Sequence, residues 1–324
     1  VPVKGSFKNI MNRVKDVIAK VEPHDSPERY RKLGVDCIAG EASFVSPWEL
    51  EVRHNDGRTE RLTARSIVVA TGGKPAVPPI PGLKDMQPLT SDNLWELQDQ
   101  PERLLVLGGG PIGSELAHAF ARLGSKVTQV EMGERLLAKE DEDVSELILK
   151  QFQADGVDVR LKHSAAEFRI EEGEKVAYCE HEGERVRIPF DQVFVAVGRA
   201  ANTAGLNLDR IGIDTLPNGT VPVEEDMSLR YPNVFACGDV AGPYQFTHAA
   251  AHQAWYAAVN GLFGQFKRFK VDYRVMPWVT FTSPEVARVG LSEAEARARG
   301  VAYEVTRYGL DDLDRAIAES EDHG

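Results

Sequence analysis

The sequence predicts an α/β protein built from two Rossmann-like, three-layer dinucleotide domains, and three observations carry that expectation. Residues 103–131 read as strand, glycine-rich turn, helix and second strand, a βαβ unit of about thirty residues, half of one such domain. Three further apolar strands, "SIVVATGG", "VFVAVGR" and "VFACGDV", each run into a glycine at the C-terminal tip. Strand tips of this kind are where open α/β sheets hold ligands. Helical periods such as "DEDVSELILKQFQADG" and "FTHAAAHQAWYAAVNGLFG" alternate with the strands, as in α/β folds.

Each element follows from the local pattern. Phe7, Ile10, Met11, Val14, Val17 and Ile18 recur at helical spacing, with Val21 extending the stripe, and predict an amphipathic helix. Pro23 and Pro27 break it, and "SPERYRKLG" reads as a short second helix closed by Gly34. "VDCIAG", "WELEVRH", "TERLTAR" and "SIVVATGG" read as short strands, with a hairpin turn at Asn55-Asp56-Gly57. Proline then dominates "KPAVPPIPG", an extended crossover that cannot enter a sheet interior. After the βαβ unit and its next helix, "VDVRL" is a strand. A β-meander follows with turns at "EEGE" and "HEGE", and it ends in the buried strand "QVFVAVGR". From Val275 a fresh β-then-α pattern begins.

With 324 residues the chain has room for two or three domains. A net charge of -12 with scattered basic residues argues against a nucleic-acid partner. No run approaches the ~18 apolar residues of a membrane span, and "VPVKGSFKNI" lacks the apolar core of a secretory signal. The three cysteines, Cys37, Cys179 and Cys237, form no C-x-x-C pair, so reduced thiols in a cytoplasm are expected, with no metal site. His248 and His252 stand four apart on one helix face without a third ligand and read as a packing face.

"GGGPIGSELA" carries the strongest chemical signal. Gly108, Gly110 and Gly113 fill the G-x-G-x-x-G positions, Gly109 and Ile112 lie between them, and Pro111 suits a first helical turn, where its missing N–H costs nothing. The first glycine permits the tight turn, the second lets backbone approach a pyrophosphate, and the third allows close helix–strand packing. Glu131 closes the second strand, where an acidic residue bonds the adenine ribose diol and repels a 2′-phosphate. The reading is NAD(H) over NADP(H), with Arg135 nearby keeping NADP(H) as the alternative.

Taken together, Ala70-Thr71-Gly72 with "PPIPG", the Gly108–Ala117 loop with Glu131, the strand end at Gly198-Arg199, and Gly238-Asp239 resemble the pyridine nucleotide–disulfide oxidoreductases. These are the flavoproteins related to dihydrolipoamide dehydrogenase and mercuric reductase. "SPEVARVGLSEAEA" resembles the start of their dimerisation domain. The resemblance runs the length of the chain in family order. It implies a discontinuous FAD domain, here incomplete, over residues 1–100 and 226–272. An NAD domain would span 101–225, and the start of an α+β dimerisation domain 273–324. It also implies that the chain begins inside the FAD domain and ends inside the dimerisation domain. The first glycine loop, the redox C-x-x-x-x-C pair and a His–Glu acid–base pair then fall outside it; His323 is not a match for that histidine.

Residue roles follow from the resemblance. Asp239, after Gly238, would hold the ribityl chain of FAD, and Gln245, Phe246, Thr247 and His248 would lie against the isoalloxazine. Ala42 would lie by the flavin adenine, with Ala70, Thr71 and Gly72 completing the FAD site. Glu115 would sit on the nicotinamide side as the catalytic candidate, paired with a lysine outside the chain, and Gly198 would let the nicotinamide half pack closely. The implied function is hydride transfer between NAD(H) and FAD, coupled to a dithiol or disulfide substrate in a homodimer. Alternatives are an NADH oxidase or ferredoxin-reductase-like flavoprotein without a redox disulfide, and a non-catalytic NAD-binding module.

Overall fold

The computed structural model describes residues 6–320; His323 lies outside the described residues. Helix α1 (Phe7–Val21) buries Phe7 and Met11. Helix α2 (Pro27–Lys32) starts on Ser26, whose side chain accepts from the Arg29 N–H, with Pro27 in its first turn. A β-meander follows, with strands β1 (Gly40–Ser46), β2 (Glu49–His54) and β3 (Thr59–Thr63). Its second turn carries Gly57 at φ +87°, a left-handed conformation that suits the Asn-Asp-Gly turn. The strand expected at "VDCIAG" is absent before Gly40. Val35 and Ile38 there are exposed, and pairing with β2 begins only at Gly40. Strands β4 (Ile67–Val69) and β5 (Gly73–Pro75) precede the proline-rich crossover.

The βαβ unit comprises β6 (Arg103–Leu107), α3 (Pro111–Arg122) and β7 (Lys126–Val130), continued by α4 (Glu142–Ala154) and β8 (Asp158–Arg160). The second meander has β9 (Ser164–Glu171), β10 (Glu174–His181) and β11 (Glu184–Phe190). Strands β12 (Gln192–Val195), β13 (Arg199–Ala201) and β14 (Val234–Ala236) lead to α5 (Thr247–Phe263). The hairpin β15 (Pro277–Thr280) and β16 (Val286–Val289) with helices α6 (Glu293–Ala298) and α7 (Asp314–Glu319) completes the described chain.

The chain divides into two compact units. One comprises residues up to Lys15, Pro75–Gly198 and from Arg274 onward; the other comprises Asp16–Lys74 and Arg199–Tyr273. In the first, a parallel sheet of order β12-β6-β7-β8 forms the middle layer. Alternate β6 side chains serve opposite faces. Leu104 and Val106 join Phe120, Ile148 and Phe152 under the helices, while Leu105 and Leu107 join Phe168, Ile188 and Phe190 of the second meander. A strand covered on both faces must be apolar throughout, which is why "RLLVL" shows no alternation.

In the second unit β14 pairs in parallel with β4, Ala236 beside Val69. This pair packs with Phe44 of β1 and Ala257 of α5 in one core. The register sets the tips of "VVATG" and "FACGD" side by side at the same end. Among the described residues, no helix is long and apolar enough to cross a membrane.

Candidate functional site

The first unit carries a glycine loop at the end of β6. Gly108 has φ +111°, and a Cβ there would lie 2.3 Å from the Ala196 carbonyl oxygen; one on Gly113 would lie 2.2 Å from the Gly108 oxygen. These two glycines are required by the fold itself. Gly110 is different: a Cβ there would meet nothing within 4 Å. Its extended backbone begins α3 with Pro111 in the first turn. The first-turn N–H groups of Ile112 and Gly113 have no intrahelical acceptor, and they sit at the positive end of a twelve-residue helix. The open space before Gly110 fits a pyrophosphate. Gly198 ends the neighbouring strand with φ +133° and nothing within 4 Å of its virtual Cβ, a second open tip on the same sheet edge.

Glu131 follows β7. Its Oε2 accepts the Gly109 N–H at 2.5 Å and its Oε1 accepts the Gly133 N–H at 2.6 Å. The carboxylate is therefore anchored to the glycine loop, and each oxygen keeps a lone pair for a further donor such as a ribose hydroxyl. Arg135 is turned away, donating to the Ala138 carbonyl oxygen at 3.1 Å.

Glu115 projects from α3 toward the C-terminal segment, where its Oε1 accepts the Phe281 N–H at 2.9 Å. Burial raises its carboxyl above the usual range, outweighing that hydrogen bond. One turn on, buried His118 accepts the Ser283 N–H on Nδ1 at 3.3 Å, which leaves the proton on Nε2, 2.6 Å from Asp155 Oδ2. Burial would raise Asp155, but hydrogen bonds from Gln151 and His118 prevail and hold it low. Two polar side chains of α3 thus grip the backbone at 281–283.

The second unit carries the other group of expected residues. Asp239 follows Gly238 (φ +77°) at the tip of β14, and Ala70, Thr71 and Gly72 follow β4 beside it. Asp239 Oδ2 lies 2.9 Å from Arg199 Nε, and Arg199 Nη2 donates to the Gly73 carbonyl at 2.9 Å. Asn202 clasps the same segment: its amide donates to the Thr71 carbonyl at 3.0 Å while its own carbonyl accepts the Thr71 hydroxyl at 2.7 Å. A Cβ on Gly73 would press on Asp239 at 3.1 Å, whereas Gly72 (φ +68°) has nothing within 4 Å. The open Gly72 and the half-buried carboxylate fit a hydroxyl-rich chain.

Phe246 caps α5 and its ring stacks on His248 at 5.3 Å and on Tyr244 at 6.2 Å, with Gln245 and Thr247 in the same turn. Ala42 is exposed near the start of β1 in the first meander, paired with Val52. Cys237 is buried in the core, and burial pushes its thiol up, as expected for a packing residue. His252 Nε2 lies 3.2 Å from the Asp272 carbonyl oxygen. Among the described residues no three His, Cys, Asp or Glu are grouped to hold a metal. Gln253 of α5 accepts the Gly238 N–H and donates to the Gly242 carbonyl, and the grips of Arg199, Asn202 and Gln253 on this site were not foreseen. For Gln253 a signal existed: a Gln and an Asn seven apart (Gln253, Asn260), in line with Ala249 and Ala257 on one face of the helix.

A parallel sheet with an open glycine tip and an anchored acidic partner in one unit, and a glycine–aspartate tip in the other, define an α/β protein of the nucleotide-binding class. The pyridine nucleotide-disulphide oxidoreductase profile matches residues 8–254, and that family's dimerisation-domain profile matches residues 276–324. The chain belongs to the pyridine nucleotide-disulphide oxidoreductase family, whose members use FAD and NAD(P)H. It is 37% identical over 295 residues to a mercuric reductase of Staphylococcus aureus, covering 90% of this chain and 52% of that protein. It is 32% identical over 304 residues to a dihydrolipoyl dehydrogenase of Chlamydia muridarum, covering 91% of this chain and 62% of that one. Among solved structures, the HOCl-induced flavoprotein disulfide reductase RclA of Escherichia coli superposes with a TM-score of 0.85 at 28% identity, covering 99% of this chain and 72% of that one. LpdA of Mycobacterium tuberculosis superposes with a TM-score of 0.88 at 26% identity, covering 99% and 70%. The chain spans about half the length of the mercuric reductases it matches.

Proposed function

We propose that the protein is an FAD-dependent oxidoreductase that passes hydride between NAD(H) and flavin, coupled to a dithiol or disulfide substrate. The observation that carries this reading is the pair of glycine-tipped strand ends with acidic partners, Gly108–Gly113 with Glu131 and Gly238 with Asp239. Bound FAD and NAD(H) would supply the electron-carrying chemistry; the chain's task is binding and orientation. Ile112 and Gly113 present amides to the NAD pyrophosphate, Gly110 gives it room, and Glu131 takes the adenine ribose diol. Gly198 admits the nicotinamide half. Glu115, kept more readily protonated by burial, is the polar group on that side.

For FAD, Asp239 holds the ribityl hydroxyls, Thr71 and Gly72 line the approach, and the turn from Gln245 to His248 lies against the ring system. By motif order residues 1–100 and 226–272 make up the flavin domain, 101–225 the NAD domain, and 273–324 the start of a dimerisation domain of a cytoplasmic homodimer, although 75–100 pack within the first compact unit and 199–225 within the second. The test is an absorption spectrum of the purified protein before and after FAD is added, followed by anaerobic NADH. A bound flavin band that NADH bleaches supports the reading. NAD(H) binding with no bound flavin would replace it with the NAD-binding module.

A further inference from the structure

We propose that Gln253 is the positioning residue for the Gly238–Gly242 turn and, through it, for Asp239 as a flavin ligand, an inference that rests on the flavin reading of that turn. Gln253 is fully buried on α5. Its Oε1 accepts the Gly238 N–H at 2.6 Å, and its Nε2 donates to the Gly242 carbonyl at 2.7 Å and to the Tyr273 hydroxyl at 2.8 Å. Both ends of the turn that carries Asp239 are thereby tied to a single planar amide. Both hydrogens of that amide are used, so it cannot relax without leaving a buried polar group unpaired.

The Gly238 N–H, a donor only, and the Gly242 carbonyl, an acceptor only, fix which way the amide faces, and Tyr273 completes its bonding. Burial pushes its hydroxyl up, so it remains protonated; it reaches Met227 Sδ at 3.8 Å and accepts from Gln253. With the –NH2 end of Gln253 committed to Tyr273 and Gly242, the oxygen end faces the Gly238 N–H. Gly238 is left-handed, and a Cβ on it would lie 3.4 Å from Ala250 of α5, so the helix already sits close against the turn. A glutamine that only filled space would not need three partners on two segments. Ion pairing with Arg199 orients the Asp239 carboxylate, while Gln253 sets the backbone from which it projects.

The experiment compares the wild type, Gln253→Met and Gln253→Glu, each made from the complete reading frame and stripped of flavin. FAD affinity is read by flavin fluorescence, NADH affinity by calorimetry and folding by circular dichroism. Methionine keeps the volume and removes all three bonds; glutamate keeps the acceptor for Gly238, and Tyr273 can donate to it. The expected result is an FAD Kd raised about tenfold or more in Gln253→Met, with partial recovery in Gln253→Glu and NADH Kd within about twofold of wild type. An FAD Kd within about twofold of wild type in Gln253→Met overturns the proposal. So does a parallel loss of FAD affinity, NADH affinity and melting temperature, which a merely structural role produces. Should Gln253→Met not fold, Gln253→Glu decides: weakened FAD binding supports the clamp and unchanged binding overturns it. A wild type that binds no FAD overturns the flavin reading as well, and its own titration tells that failure apart.

Discussion

Arg199 Nε lies 2.9 Å from Asp239 Oδ2 across forty positions of sequence, and the same guanidinium holds the Gly73 carbonyl. It thus joins three segments of one strand-tip cluster. Both side chains are mostly buried, so removing one partner leaves the other short of solvent and of a counter-charge. Arg199→Met is expected to lower unfolding stability by about 1–3 kcal/mol, between the values for exposed and fully buried pairs. Urea denaturation measures it, and a curve superimposable on wild type would contradict the role assigned to the pair.

The glycine loop makes a sharper prediction because its three glycines differ in what surrounds them. Gly113→Ala drives a methyl into the Gly108 carbonyl, and Gly108→Ala combines a similar clash with a left-handed φ, so both should cost several kcal/mol of stability, on the order of ~3 or more. Gly110→Ala meets no protein atom and has an extended backbone, so its melt should stay within ~0.5 kcal/mol of wild type. Its methyl would stand where the pyrophosphate approaches, and NADH affinity should fall about tenfold or more. Melts and NADH titrations of the three variants separate the two kinds of glycine.

Glu131 is predicted to govern the choice between dinucleotides. Glu131→Ala removes the acceptor for the Gly109 and Gly133 amides together with the charge that opposes a 2′-phosphate. NADH affinity should drop about tenfold or more while NADPH affinity drops less, narrowing their ratio. Parallel losses for both nucleotides would mean that the carboxylate only braces the loop.

The pH dependence assigned to Glu115 has a definite sign. Burial raises its folded-state pKa, so at this group the folded chain holds its proton more firmly than the unfolded chain. Its contribution is therefore fully present below the unfolded value of ~4.3 and is lost as pH rises through the folded value. Glu115→Gln keeps an oxygen for the Phe281 N–H and cannot ionise. The variant should match wild type near pH 4 and be modestly more stable at pH 7. Urea melts at both values check this, and a gain at neutral pH no larger than that at pH 4 would refute it.

The elements that were legible in advance share one property: their cause is local. The glycines at 108, 110 and 113 lie within six residues, between an apolar strand and an amphipathic helix; the fold needs Gly108 for its turn and Gly113 for close packing, and leaves Gly110 open. "RLLVL" read as an apolar strand running into glycines, and the Asn-Asp-Gly turn announced a hairpin. "VDCIAG" misled for the complementary reason. Its composition suits a strand, but a strand exists only where a partner supplies hydrogen bonds, and none meets Val35–Ala39.

The sequence by itself determined the two nucleotide-type strand tips, their order and the acidic residue expected to follow each, because turn chemistry and hydrophobic period act over a few neighbouring residues. Only the tertiary structure decided what holds those residues. Glu115 takes its partner from Phe281, 166 positions away; Arg199 reaches Asp239 across 40; Gln253 closes on Gly238 across 15. Such partners are chosen by which elements pack together, and the burial that packing creates is what makes each of these hydrogen bonds costly to lose.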